Sequence, residues 1–246
     1  MISTILSGEV LRSITRSMVA LVSEARFHFT PEKLHARAVD PANVAMVILN
    51  VPKESFEAFN IEEEKTIGVD INRLYDILKS VKSDELIELK LTDDSSLNVK
   101  FGSVEYSVAL IDPSAIRKEP KVPNLDLASK IVMDAGDFKK SISTSDKISD
   151  RVIFRSDENG FYIEAEGDVD RITSTYSEAE LIEFNKAEAK SMYSIEYLKE
   201  FIKAVSSGDT LTLHLGNNYP VRLVFGLAGG KVEVEYILAP RIEEAE

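Results

Sequence analysis

Ten lysine and arginine side chains stand at helical spacing in this chain, and their chemistry would be neutralisation of phosphate. They fall in four segments: Arg12 and Arg16 in residues 9–22; Arg73, Lys79 and Lys82 in 70–82; Lys139, Lys140 and Lys147 in 137–147; Lys199 and Lys203 in 195–203. These segments hold 10 basic against 7 acidic residues, a net of +3 over 47 residues, whereas the whole chain has 29 against 42, a net of −13. Such segregation suits a protein that repels nucleic acid over most of its surface and tolerates it along one face. The net charge argues against general coating of DNA, because that affinity comes largely from phosphate neutralisation. For any one segment the plainer reading is a solvated helix face. In the last, Glu196 and Glu200 could pair with Lys199 and Lys203. Four such segments in an acidic chain make that reading less comfortable.

No catalytic constellation accompanies these cations. His28, His35 and His214 all lie in alternating, strand-like runs. His28 and His35 flank one hairpin and could approach each other, but no third ligand has sensible spacing for a metal. A phosphate-binding glycine loop and a nucleophile elbow are missing from the sequence. Asp93-Asp94 before Ser95-Ser96 could hold a divalent ion, though a solvated turn explains it as well. With no cysteine, disulfides, thiolate metal sites and cysteine nucleophiles are excluded. The sequence thus points to no catalytic residue, metal or cofactor.

Each basic segment has an apolar stripe to anchor it. Leu11, Ile14, Met18 and Leu21 share one helical face; Ile71, Leu74, Ile77, Leu78 and Val81 share the next. Phe138, Ile142 and Ile148 turn inward in the third, and Tyr197, Leu198, Phe201 and Ile202 in the fourth. A chain of 246 residues with 44% hydrophobic content can bury a real core, as one large or two ordinary domains. The first residues lack the basic region and long apolar run of a signal peptide, and no stretch approaches the ~20 apolar residues of a membrane span.

The chain contains itself twice. A shift of 127 positions superposes the hairpin at residues 26–38 on that at 152–165, with Leu34 on Phe161 and Ala38 on Ala165. A shift of 124 carries residues 81–91 onto 205–215 and 97–102 onto 221–226. Each half reads helix, hairpin, further strands, helix, then a strand meander. Between them, residues 111–123 carry three prolines and read as an extended connector, with Ile116 and Val122 as apolar side chains on an exposed strip. Gly226-Leu-Ala-Gly-Gly230 reads as a hairpin turn.

Three segments carry a resemblance. Tyr236-Ile-Leu-Ala-Pro-Arg-Ile-Glu-Glu244 resembles the ending of the proliferating cell nuclear antigen family, the sliding clamps of archaeal and eukaryotic replication. Residues 39–48 resemble the family's segment after the first hairpin, and residues 102–113 the strand entering the connector, most like archaeal members. The resemblance implies an α+β DNA clamp fold: two repeated domains, each with two helices packed on antiparallel sheets, three subunits closing head-to-tail into a six-domain ring. The domains would span 1–117 and 125–246, joined by a connector at 118–124. Double-stranded DNA would pass through the hole without sequence readout. Arg12, Lys79, Lys140, Lys147 and Lys203 stand at positions that are basic or histidine in relatives, with Arg16, Arg73, Lys82, Lys139 and Lys199 completing the inner face. DNA polymerase, clamp loader, flap endonuclease and DNA ligase would dock by short peptide motifs. Their pocket would comprise Val39, Val44 and Met46, the connector's Lys121, Val122 and Pro123, then Pro220, Ile237, Ala239 and Pro240. Ile237 stands where eukaryotic relatives have tyrosine. Subunits would meet edge to edge, Val104, Tyr106, Val108 and Leu110 against Ile172, Ser174 and Tyr176. No cofactor, catalysis or membrane attachment is implied. The compartment would be cytoplasmic and nucleoid-associated for an archaeal protein, nuclear for a eukaryotic one.

Two other readings compete. The chain could be one member of a heterotrimeric or checkpoint-type clamp. It could also be a duplicated β-rich hydrolase or ligand-binding protein, for which the sequence supplies no polar cluster.

Overall fold

A computed structural model describes residues 2–93 and 95–242. Asp94, and with it the Asp93-Asp94 pair, lies outside the described residues, as do Glu243 and Glu244 of the C-terminal motif. The chain divides into two compact units, Met1–Pro41 with Met46–Pro120 and Leu227–Val234, and Ala42–Ala45 with Lys121–Gly226 and Glu235–Glu246.

In the first half of the chain the order is β1 (Ile2–Ser7), α1 (Gly8–Val19), β2 (Glu24–Phe29), β3 (Lys33–Val39), β4 (Ala45–Pro52), β5 (Ala58–Ile61), β6 (Lys65–Asp70), α2 (Ile71–Ile77), β7 (Leu86–Asp93), β8 (Ser96–Phe101) and β9 (Val104–Ala109). In the second it is β10 (Ser129–Asp134), α3 (Ala135–Ser145), β11 (Arg151–Asp157), β12 (Gly160–Glu166), β13 (Arg171–Ser177), β14 (Glu183–Phe184), β15 (Ala189–Ser194), α4 (Ile195–Phe201), β16 (Thr210–Leu215), β17 (Val221–Leu227) and β18 (Val232–Leu238).

The duplication reaches the strand order. One sheet of the first unit runs β5-β1-β7-β8-β9, and its counterpart in the second runs β14-β10-β16-β17 followed by β18. The other strand series runs β4-β3-β2-β6 in the first unit, and its counterpart is the four-stranded sheet β13-β12-β11-β15. Every strand of the first series thus has its partner nine strands later. Within the first unit, residues 232–234 of β18 lie on the open side of β4, and Asn50 Nδ2 donates to Glu233 Oε1 at 3.4 Å. Among the described residues no such strand lies beyond β13, the counterpart of β4, and β9 likewise ends its sheet.

The apolar stripes form the core as their spacing requires. Leu11, Ile14 and Met18 on α1, Ile71 and Leu74 on α2, Phe138 and Ile142 on α3, and Leu198 and Phe201 on α4 are all buried. Fully burying such a side chain stabilises by about 1.5–3 kcal/mol. Ile77, Ile148 and Tyr197, at the ends or flanks of their stripes, are only half-buried. Ser7 caps α1 by accepting from Val10 N–H at 3.3 Å, and Asp134 caps α3 by accepting from Gly136 and Asp137 N–H at 2.8 and 3.1 Å. α2 and α4 are short and each tightens into a 3-10 turn, Leu78–Ser80 and Ile202–Ala204. α1 packs on α2 and α3 on α4. The second unit is the more aromatic: Phe154 meets Phe138, Phe161 and Tyr193 at 5.2–5.9 Å between ring centres, and Phe201 stacks on Tyr236 at 4.0 Å.

Candidate functional site

The helix pair of each unit carries the predicted cations, and they divide by what holds them. Arg12 is partly exposed, and its guanidinium donates to the carbonyls of Val81 and Leu78 and to Ser83 Oγ. Lys139 Nζ donates to Val205 O at 2.7 Å. Arg12 and Lys139 are 127 apart, and Val81 and Val205 are 124 apart. The same tie is therefore made twice. A cation on the first helix of each pair binds the carbonyl end of the second, where the helix dipole also favours positive charge. The sequence placed both on the phosphate-neutralising face; the structure shows that each also fastens its helix pair.

Three more cations are paired on the surface. Lys79 meets Asp76 at 2.7 Å, Lys199 meets Asp146 at 3.0 Å, and Lys203 meets Glu200 at 2.5 Å. The Asp76 carboxylate holds the Lys79 ammonium above its ordinary value. Exposed pairs of this kind are screened by solvent, contribute little to stability and leave the cation able to exchange its partner. Arg16, Arg73, Lys82, Lys140 and Lys147 form no side-chain ion pair among the described residues, and all but the half-buried Arg16 are exposed. Arg73 and Asp76 border an open cavity of about 530 Å³ that Tyr106 also lines.

The predicted docking residues fall as follows. Val39 and Met46 are partners across the β3–β4 ladder and are half-buried. Val44 is half-buried, and its carbonyl accepts from Ala239 N–H at 2.9 Å, which sets the C-terminal segment beside residues 42–45. Lys121, Val122 and Pro123 are exposed, Pro220, Ala239 and Pro240 half-buried, and Ile237 buried. Ile116 departs from expectation. Rather than lying on an exposed strip it is 5% exposed, because a 3-10 turn at Pro113–Ala115 turns it onto the sheet over Gly68. A Cβ at Gly68 would stand 2.2 Å from Ile111 O and 2.8 Å from Ile116 Cδ1, so only glycine admits the connector this close.

Of the predicted subunit contacts, Val104 and Tyr106 are exposed and Leu110, Ile172 and Ser174 half-exposed. Val108 faces its own core at 1% exposure. Tyr176 turns toward α3, its hydroxyl donating to Asp137 O at 3.0 Å and meeting Ser141 Oγ at 2.6 Å. Their backbones nevertheless lie on the edge strands β9 and β13.

Sequence reading missed what fixes the connector. Arg26 donates to Pro113 O at 2.7 Å and Ile116 O at 2.6 Å, Arg117 donates to Asp40 O at 2.8 Å, and Glu119 meets both His28 and Arg37. The alternation of β2, with Ala25, Phe27 and Phe29 inward, does place Arg26 and His28 together on its other face. Carbonyl partners distant in the chain leave no such trace. Among the described residues no group of three His, Cys, Asp or Glu is arranged to hold a metal. Among them, too, no helix is long and apolar enough to cross a membrane.

A duplicated α+β chain with one cation-bearing helix pair per half defines a clamp-type subunit. Residues 2–107 match the family model "Proliferating cell nuclear antigen, N-terminal domain", and residues 121–241 match "Proliferating cell nuclear antigen, C-terminal domain". The chain belongs to the proliferating cell nuclear antigen family. It is 66% identical over 243 residues to a "DNA polymerase sliding clamp" of Archaeoglobus fulgidus, covering 99% of each chain. A solved structure described as "C-terminal region of FEN-1 bound to A. fulgidus PCNA" superposes with a TM-score of 0.98 at 66% identity, covering 100% of both chains. A PCNA crystal structure from Thermococcus kodakaraensis superposes at 0.90 with 25% identity, covering 98% of this chain and 100% of that one.

Proposed function

We propose that this chain is a DNA sliding clamp: a non-enzymatic processivity factor that closes as a homotrimer around duplex DNA. The observation that carries ring closure is the mismatch of edges. β4 has residues 232–234 of β18 beside it, whereas its counterpart β13 and the counterpart of β18, β9, are both open. An open edge of each kind on one chain makes a head-to-tail contact, and such contacts generate rings when the rotation closes. The high identity to a named DNA polymerase sliding clamp over the full length supports the same reading.

In this ring the helix pairs face DNA. Arg16, Arg73, Lys82, Lys140 and Lys147 supply unpaired charge. Lys79, Lys199 and Lys203 supply charge exchangeable from surface carboxylates, and Arg12 and Lys139 hold the pairs in shape. Phosphate contact without base contact lets the ring slide. DNA polymerase, clamp loader, flap endonuclease and DNA ligase dock by short motifs on the surface of Val39, Val44, Met46, residues 121–123, Pro220, Ile237, Ala239 and Pro240. Capture of a flap-endonuclease C-terminal segment by the Archaeoglobus relative supports this. Tethering there raises a partner's effective concentration without adding chemistry. We set the domains at 1–117 and 125–246 about a connector at 118–124, and the site of action at the nucleoid.

The test is topological. Loaded on a closed circle, the protein should dissociate slowly and leave rapidly once the circle is cut. Equal retention on both forms would rule out encirclement.

A further inference from the structure

Strands β6 and β15 hold the same place in the two halves: Gly68 pairs with Arg26 and Met192 with Ile153, at shifts of 124 and 127. Their inward side chains differ in chemistry. In β6 they are Ile67 and Val69, and in β15 they are Ser191 and Tyr193, all four buried. Both hydroxyls of β15 hold one loop, residues 216–220 between β16 and β17. Ser191 Oγ donates to Gly216 O at 2.8 Å and accepts from Tyr219 N–H at 3.0 Å. Tyr193 Oη donates to Tyr219 O at 2.7 Å. Lys190 N–H donates to Asn217 Oδ1 at 2.8 Å, and Lys190 O accepts from Asn218 N–H at 3.0 Å. A buried hydroxyl is unfavourable unless bonded, so the second half replaces apolar packing with a polar clamp aimed at a single loop. The matching turn of the first half has an exposed Ser95 where this loop has Tyr219.

What the clamp presents is an aromatic side chain, and Tyr219 is 42% exposed. Pro220, one of the expected docking residues, follows it directly. Leu127, where the connector rejoins the second unit, shares a seat with it: a Cβ at Gly216 would stand 3.2 Å from both Leu127 Cδ2 and Tyr219 Cβ. We propose that Tyr219 is a specificity-determining residue of the docking surface, a platform preset by Ser191 and Tyr193 on which an apolar side chain of the docked peptide packs, a role that rests on the function proposed above. Tyrosine suits this role. It offers a large ring with few rotamers to lose, and its hydroxyl can stay in water while the ring is covered. A loop already held in place adds no ordering cost when the peptide arrives. Pro220 has no N–H, so it leaves no donor unsatisfied beneath a bound peptide.

Titration of the full-length protein with a flap-endonuclease C-terminal peptide, read by calorimetry, tests the platform. Tyr219→Ala should weaken binding about tenfold, as truncation of a well-packed aromatic contact does, and Tyr219→Phe, which keeps the ring, less than about twofold. Tyr193 acts through Tyr219 and is a positioning residue. Tyr193→Phe should weaken binding about threefold, and that loss should vanish when residue 219 is already alanine. Shortening the peptide's apolar side chains to alanine one at a time should find one whose loss matters less against Tyr219→Ala than against the parent. Melting curves confirm that each variant is folded. The platform is overturned by a Tyr219→Ala protein that binds as tightly as the parent, by a Tyr219→Phe protein as weak as Tyr219→Ala, or by losses that add at every peptide position. A parent protein that binds no peptide at all overturns the docking function itself, and the platform with it.

Discussion

The two halves of this chain share every strand, yet they spend their side chains differently. Leu11 and Phe138 occupy one position, and both are buried under a helix pair. His28–His35 and Arg155–Tyr162 occupy another, one a stacked imidazole pair bound to the connector, the other a guanidinium over a ring, closed on its own carboxylates. Arg12 and Lys139 occupy a third and do the same work with different reach. Where a position sets the frame, the halves agree on geometry and vary only in size. Where it faces a segment that one half alone possesses, they diverge in chemistry.

The core comparison should break most visibly. Phe138→Ala should cost about 3–5 kcal/mol and Leu11→Ala about 2–5 kcal/mol, since each opens a cavity beneath a helix pair. Denaturant midpoints read both, and a fully tolerated Phe138→Ala would show that the aromatic cluster of the second half is not what stabilises it. Next come the helix-pair ties. Arg12→Gln should cost about 1–2 kcal/mol and Lys139→Gln about 1 kcal/mol, discounted for partial exposure, with little effect on the salt dependence of DNA binding. The opposite signature belongs to the unpaired cations. Lys140→Gln with Lys147→Gln should leave melting unchanged and flatten the salt slope by up to about 1.8, at roughly 0.9 for each phosphate left without its cation. A slope that moves with Arg12 and Lys139 instead would reverse the division of roles.

The smallest effect separates the histidines. Burial first, then Arg222 and Lys130, hold His214 below its ordinary value of 6.5, against the pull of Glu235 and Glu183. A lowered value in the folded state means that the unfolded chain binds the proton more readily. Stability is then complete above the ordinary value and lost as pH falls through the lowered one. His214→Leu should shrink the loss of melting temperature between pH 7 and pH 5, and an unchanged loss would assign it to other groups.

Much of this was legible beforehand for a physical reason. Helix stripes, hairpins and the repeat are periodic, and period survives in sequence: β2–β3 and β11–β12 stand at the shift of 127, β7–β8 and β16–β17 at 124. What stayed hidden depends on distant backbone. The carbonyls of Val81 and Val205 that bind Arg12 and Lys139, and those of Pro113 and Ile116 that bind Arg26, carry no residue-type signal. Ile116 read as exposed because a proline-rich segment looks extended, whereas the space over Gly68 decides where it goes. The two-residue β14 is too short for any alternation to show.

Closure of three copies into a ring through the edges β9 and β13 would be read in the mass of the protein in solution. Light scattering across dilution and salt should give about 82 kDa, three chains of 27.4 kDa. A chain that stays at 27.4 kDa at high concentration would contradict self-closure and leave those edges for different subunits.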